Sequence, residues 1–194
     1  MSIIKRDENQ DLASLFRKGA LPAGRSRSAL VLDVSASMGD HLGPGLTKKI
    51  DKMRELAAKF PAERKFEFSS AARELQPGEQ ISDPEGSTAM HVAFNAACAG
   101  GCDHIVLITD GEPDSKELAL SAAKGLRIDV FYVGPEDNVD AQRFLQKLAR
   151  GSRGVMPDGR VATGSYGATS LAFTSELESK LRALLPPPPT PVTR

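Results

Sequence analysis

The sequence is short of the features that most quickly narrow a protein's role. Across 194 residues, 25 Lys and Arg balance 25 Asp and Glu, so no charge excess points to nucleic acid or to an anionic membrane surface. No run of eighteen apolar residues occurs, which argues against a bilayer-spanning helix. The first residues lack a charged-then-apolar leader, and two cysteines, Cys98 and Cys102, are too few for a disulfide scaffold. These absences lead us to expect a cytoplasmic protein with reduced thiols, bound neither to nucleic acid nor to a membrane. No internal repeat is visible. What remains is an ordinary globular composition, 40% hydrophobic and 26% charged, on a chain long enough for one domain with a proper core.

Residues 1–27 read as a lead-in, with Leu12, Leu15 and Phe16 at helical spacing within Asp7 to Lys18 and a Gly/Pro/Ala loop after them. Ala29 to Val34 is then a short apolar run carrying one Asp, the pattern of a buried parallel strand. Leu46, Ile50, Met53, Leu56, Ala57 and Phe60 recur at three- and four-residue steps and predict a helix that Pro61 ends. Lys65 to Ser69 alternates as a strand, and Ala72 to Leu75 fits a second arm or an edge strand. Further on, helices are expected over Thr88 to Ala99, Lys116 to Lys124 and Val139 to Arg150, the last closed by Gly151. Strands are expected over His104 to Thr109 and Arg127 to Val133, with a last short one at Gly154 to Met156 and a final helix over Ser170 to Leu185. Strands alternating with helices of this length imply βαβ units and a mostly parallel sheet covered on both faces. The domain is thus placed at 28–185, and the Pro-rich run of 186–194 reads as an extended, stiff tail.

Ligands of an open parallel sheet bind beyond the carboxyl ends of its strands. Two polar segments fall there: Asp33-Val34-Ser35-Ala36-Ser37-Met38-Gly39 after the first strand, and Thr109-Asp110-Gly111-Glu112-Pro113-Asp114 after the strand of His104 to Thr109. Asp33, Ser35 and Ser37 alternate, so on an extended segment their short oxygen-bearing side chains point the same way. Thr88, at a predicted helix start, and Asp110 add two more oxygens. Hydroxyls and carboxylates without sulfur or imidazole suit a hard cation, Mg²⁺, Mn²⁺ or Ca²⁺, rather than Zn²⁺. An ion held by few charged ligands keeps an open position that an incoming Asp or Glu can fill. The plainer role for Ser35, Ser37 and Thr88 is helix capping and loop tying.

The run Asp33-x-Ser35-x-Ser37-Met38-Gly39 closely resembles the metal-ion-dependent adhesion site of von Willebrand factor A (VWA) domains. Gly86-Ser87-Thr88-Ala89-Met90 resembles that family's threonine loop, Ile108 to Pro113 its aspartate loop, and Phe68-Ser69-Ser70-Ala71-Ala72 its second-strand exit. Ala36 stands where the family usually has Gly. The resemblance covers residues 28 to about 185 and suggests an intracellular bacterial or phage type. It implies a three-layer, doubly wound, Rossmann-like α/β sheet, mostly parallel with one antiparallel edge strand and helices on both faces. It also implies a metal set of Asp33, Ser35, Ser37, Thr88 and Asp110, with Mg²⁺ (or Mn²⁺ or Ca²⁺) as cofactor. Its expected role is a non-catalytic adaptor that captures an acidic side chain of a partner protein. By analogy, that partner belongs to a complex with an AAA+ ATPase. Met38, Gly39, His41, Ser87, Gly111 and Glu112 are then expected to form the partner-binding rim.

Two other functions compete. One is Mg²⁺-dependent phosphoryl transfer with Asp33 as nucleophile. However, Ser35 stands where a haloacid-dehalogenase-like site wants a second Asp, and the chain has neither a G-x-x-x-x-G-K-[ST] loop nor a nucleophile elbow. The other is a structural subunit with a non-essential metal site. Cys98 and Cys102, three residues apart without a second pair, read as a buried helix-end thiol and a loop thiol. His41, His91 and His104 fall on separate elements. Glu112 and Asp114 are expected on the rim of the proposed site, either tuning partner choice or leading into the next helix.

Overall fold

In a computed structural model of the chain, the described residues are 27–41, 47–59, 64–111, 113–134, 138–155 and 161–168. The expected helices over Asp7 to Lys18 and Ser170 to Leu185, and the Pro-rich tail, lie outside them. Strands β1 (Ser28–Asp33), β2 (Arg64–Phe68), β4 (His104–Thr109) and β5 (Arg127–Tyr132) form where expected, all parallel to one another. β3 (Ala72–Leu75) folds back on β2 as the antiparallel edge, its register running from Phe68↔Ala72 to Lys65↔Leu75. The order in the main sheet is β3-β2-β1-β4-β5-β8.

β8 (Tyr166–Ala168) pairs parallel with β5, an edge strand that the Gly-containing run 164–168 gave no sign of. The segment expected as a last strand of the sheet is instead β6 (Arg153–Val155), which pairs antiparallel with β7 (Val161–Thr163) in a separate ribbon. Three residues with Gly in the middle carry too little pattern to reveal which sheet they join.

The helices are α1 (Lys49–Lys59), α2 (Met90–Ala99), α3 (Lys116–Ala122) and α4 (Val139–Gly151). α3 is capped by the Ser115 side chain, which accepts from Leu118 N, and α4 by the Asn138 side chain, which accepts from Ala141 N. Gly151 is the last residue of α4 rather than its stop; Ser152, in extended conformation, ends the helix and its hydroxyl donates back to Ala149 O at 2.7 Å.

Because successive strand residues face opposite sides, one sequence feeds two cores. Ala29, Val31, Phe66, Phe68, Ile105, Leu107, Ile128 and Val130 pack beneath α2, α3 and α4, where Phe94, Leu145 and Leu148 are buried. Leu30, Leu32, Val106, Ile108, Phe131 and Val133 face the other side with Ile50, Met53 and Ala57 of α1. This is the three-layer, doubly wound sheet expected, with the described helices on both faces. Among the described residues no helix is long and apolar enough to cross a membrane.

β1 connects outward to β2 on one side, while β4 and β5 lie on the other, so the winding reverses between β1 and β4. At such a switch point the loops diverge and leave a crevice at the carboxyl ends of the strands. Asp33 ends β1 and Thr109 ends β4, which places both motif segments there.

Candidate metal centre

Asp33 is fully buried at the end of β1. Its Oδ1 accepts from Ser35 N at 2.8 Å and its Oδ2 from the Thr109 hydroxyl at 2.5 Å. The Ser35 hydroxyl is 3.2 Å from that of Ser37, and the Ser37 hydroxyl donates to Asp110 Oδ1 at 2.9 Å. One hydrogen-bonded group therefore joins Asp33, Ser35, Ser37 and Asp110. Among the described residues no three His, Cys, Asp or Glu side chains converge; two carboxylates and a set of hydroxyls do.

The loop turns immediately after Ser35 into a short 3₁₀ segment, Ala36–Gly39. Its backbone is right-handed, so the alanine at position 36 suffers no left-handed strain. Met38 faces inward and is 0% exposed, packed with Leu30, Leu32, Ile50 and Met53. It is a core residue and not a rim contact: the tight turn swings every third side chain back onto the sheet.

Thr88 arrives from a different direction. The 76–87 loop is laid along the metal loop by two backbone bonds, Glu85 N to Val34 O at 2.9 Å and Ala36 N to Gly86 O at 3.2 Å. Gly86 has φ +72°, and a Cβ there would lie 2.6 Å from Ser70 Oγ, so both conformation and space call for glycine. Thr88 precedes α2 rather than starting it, since the helix begins at Met90. Thr88 N donates to Asp114 Oδ1 at 3.0 Å, Asp114 N donates to Thr88 O at 3.0 Å, and the Ser87 hydroxyl donates to Asp114 Oδ2 at 2.6 Å. Asp114 is thus a clasp between the threonine and aspartate loops. The clasp fixes the backbone of Thr88 to Asp114, and no bond joins the Thr88 hydroxyl to Asp33, Ser35, Ser37 or Asp110.

The electrostatics are lopsided. Burial, reinforced by the nearby Asp110 charge, pushes Asp33 from 3.8 up to about 6, against the opposing pull of its bonds to Ser35 and Thr109. Asp110 is buried too, and its Oδ2 sits 2.6 Å from the ammonium of Lys49 at the start of α1. The ammonium thus pairs with Asp110 and, at 3.9 Å, with Asp40, while Asp33 is held by Ser35 N and the Thr109 hydroxyl. Lys49 is itself buried, a placement a lysine takes only when paired.

Sequence reasoning did not single out Lys49, because a basic residue opening an amphipathic helix looks like a solvated flank. It also assigned no role to the Thr109 hydroxyl or to Glu67. Glu67 is buried on β2 and receives Ser82 N, the Ser82 hydroxyl and Arg73 Nε, while Arg54 donates to Ile81 O, Ser82 O and Asp83. These ties hold the 76–87 loop over the sheet end. An acidic residue inside an alternating strand was the available signal.

Of the other rim residues, Gly39 and Gly111 are half-buried, while His41 and Ser87 are exposed. Glu112 lies outside the described residues. Cys98 is the exposed thiol and Cys102 the buried one, the reverse of the expectation, because α2 turns Ala97 inward and Cys98 outward.

His104 proves not to be isolated. Its Nδ1 is 2.8 Å from the Ser28 hydroxyl and its Nε2 2.6 Å from Asp129, which also receives the Ser165 hydroxyl and N–H. The Ser–His–Asp chain is buried at the amino ends of β1, β4 and β5, with Ser28 inside a paired strand. It ties strands together rather than presenting a nucleophile.

No protein-family profile and no curated protein matches the sequence. Solved structures do match in shape. The structure of the manganese-loaded TRAP protein of Plasmodium vivax aligns with a TM-score of 0.51 at 22% identity, over 75% of this chain and 69% of that one. A von Willebrand factor type A structure from Catenulispora acidiphila aligns with a TM-score of 0.54 at 17% identity, over 82% of this chain and 42% of that one. The present chain thus spans less than half the length of the Catenulispora chain. At these identities the likeness is one of fold, and the fold is that of a VWA domain.

Proposed function

We propose that this chain is a non-catalytic, cytoplasmic binding module that holds one divalent cation at the β1/β4 switch point and uses it to capture an Asp or Glu side chain of a protein partner. The observation that carries this reading is the single bonded group of Asp33, Ser35, Ser37 and Asp110. The donor set fits a hard cation: all its side-chain donors are oxygens, two are buried carboxylates, and of the two only Asp110 has an ammonium beside it. A shape relative that was manganese-loaded lends support.

Asp33, Ser35, Ser37, Thr88 and Asp110 would hold the ion. A bound divalent cation supplies Lewis acidity toward an incoming carboxylate. The serine and threonine hydroxyls are neutral, so they hold without quenching that acidity. Asp33 is buried with both oxygens bonded, which orients the loop and supports a holding role over a nucleophilic one. Ser87, His41, Gly39 and Gly111 line the approach. An AAA+ ATPase assembly is the partner class we favour by analogy of fold.

Titration calorimetry with Mn²⁺ tests the centre. Wild type is expected to show one saturable site, and an Asp33→Ala/Ser35→Ala double variant none. Equal behaviour of the two proteins would sink the reading. Capture of a partner that persists undiminished in EDTA would show that no metal forms the bridge.

A further inference from the structure

We propose that Lys49 is a tethered competitor for the cation: its ammonium occupies Asp110, and metal binding displaces it toward Asp40. The inference rests on the proposed metal centre and adds to it a built-in threshold for loading.

Three contacts define the ammonium's position. Lys49 Nζ lies 2.6 Å from Asp110 Oδ2, 3.2 Å from Ser37 O and 3.9 Å from Asp40 Oδ2. The first two partners belong to the residues proposed to hold the metal, so the lysine sits within the centre's own polar group. A cation there offsets the charge of the buried Asp110 carboxylate, which is the same service a metal would perform. The two cations repel each other and draw on the same Asp110 oxygens. Ser37 already donates to Oδ1, and Lys49 holds Oδ2.

The backbone fixes the lysine's base in place. Lys49 N donates to Asp40 O at 3.0 Å, and His41 pairs with Lys48 in an isolated bridge. These bonds clamp the first turn of α1 to the exit of the metal loop, so helix and loop stay together. Displacement would turn the buried four-methylene stem about its own bonds. Asp40 offers a landing point: its carboxylate is 72% exposed and already lies within ion-pair reach of the ammonium. A lysine bound to Asp110 when the centre is unloaded, and to Asp40 when it is loaded, needs no movement of the fold.

Two consequences follow from charge alone. Metal affinity is lower than the oxygen set would otherwise give, because a charge-assisted hydrogen bond must be broken first. Such bonds are worth roughly 1.5–3 kcal/mol, or about ten- to a hundredfold in affinity. The displaced ammonium also neutralises the exposed Asp40 carboxylate, which lessens repulsion of an acidic partner.

The test uses the full chain, with calorimetric titration of Mn²⁺ into wild type, Lys49→Met, Lys49→Arg, Asp40→Asn and the Ser35→Ala/Ser37→Ala double variant. Lys49→Met is expected to bind Mn²⁺ at least about tenfold tighter than wild type, while Lys49→Arg stays near or below it. Asp40→Asn should weaken binding by roughly two- to fivefold through loss of the landing site. If Lys49→Met binds no tighter while the double serine variant loses binding, the metal centre stands and the competition fails. If neither wild type nor Lys49→Met binds Mn²⁺, both readings fall. Binding seen only in Lys49→Met supports the competition in its strongest form. Because removal of a buried ammonium can compromise folding, a second readout uses wild type itself. In ¹⁵N-lysine spectra the Lys49 Nζ resonance should shift on saturation with Mg²⁺, and a resonance unmoved at saturation would overturn the displacement.

Discussion

Burial makes an ionised carboxylate costly at Asp33. Its native pKa of about 6 lies above the ordinary 3.8, so the native state holds the proton more tightly than the unfolded chain does. The stabilisation from that proton is complete below about pH 4 and disappears as pH rises through 6. A shift of this size corresponds to roughly 3 kcal/mol. In chelator, Asp33→Asn is therefore expected to exceed wild type in stability by about that amount above pH 6, with the gap closing toward pH 4. Urea denaturation between pH 4 and 7.5 measures it, and a gap independent of pH would contradict the assignment. A divalent cation should close or reverse the gap, since only wild type keeps the carboxylate for it. Protons and metal then compete at Asp33, so metal affinity should fall as pH drops below 6. Gly86 is the other residue with a sharp individual requirement. Gly86→Ala combines a left-handed backbone with a crowded Cβ and should cost about 1–2 kcal/mol, together with weakened metal binding. Denaturation and calorimetry on the one variant read both.

At the scale of elements, the centre is a meeting of three loops, and each loop is held by something behind it. The aspartate and threonine loops are held to each other by Asp114, which bonds both Ser87 and Thr88. Asp114→Ala leaves every proposed metal donor in place yet frees Thr88, so Mn²⁺ affinity should drop by about tenfold while the melting temperature changes little. An unchanged affinity would mean that Thr88 is positioned without the clasp. The opposite end of the sheet is tied by the chain of Ser28, His104 and Asp129. Burial tends to raise Asp129, but the bonds from His104 and Ser165 and the charge of Arg127 outweigh it and hold the carboxyl below the ordinary range. A lowered acid stabilises the fold above its unfolded pKa and gives up that contribution as pH falls below it. Asp129→Ala removes the buried carboxylate that His104, Arg127 and Ser165 share and should cost about 3–5 kcal/mol in urea, without altering metal affinity in the fraction that folds. A lost metal site in folded Asp129→Ala would show the two ends of the sheet to be coupled.

For the whole molecule, ligand binding and stability are one equilibrium. A cation bound only by the native state at a hundred times its Kd adds about 2.7 kcal/mol, which for a domain of this size raises the melting temperature by roughly 5–10 °C. Thermal unfolding in Mg²⁺, with reversal by EDTA, checks this; no shift at any concentration would remove the metal from the native state. Much of this architecture was legible beforehand. The apolar runs at 29–34, 104–109 and 127–133 marked buried parallel strands, because a strand covered on both faces must be apolar at every position. The alternation of Asp33, Ser35 and Ser37, and the second acid Asp110 after another such run, marked the site, because strand periodicity and strand ends are local properties of the chain. The short elements were not legible: β6, β7 and β8 carry three residues each, too few for a period to show which neighbour they join. Met38 looked like a rim residue and is core, since a single 3₁₀ turn decides its direction. Lys49 and Asp114 were mute for a different reason. Their roles lie in partners 61 and 26 positions away in sequence, Asp110 and Thr88. The local chain thus determined the kind of strands, the switch-point oxygens and the class of ion they suit. Only the tertiary fold decided which charges share the crevice, because burial and ion pairing depend on what long-range packing brings within a few ångströms.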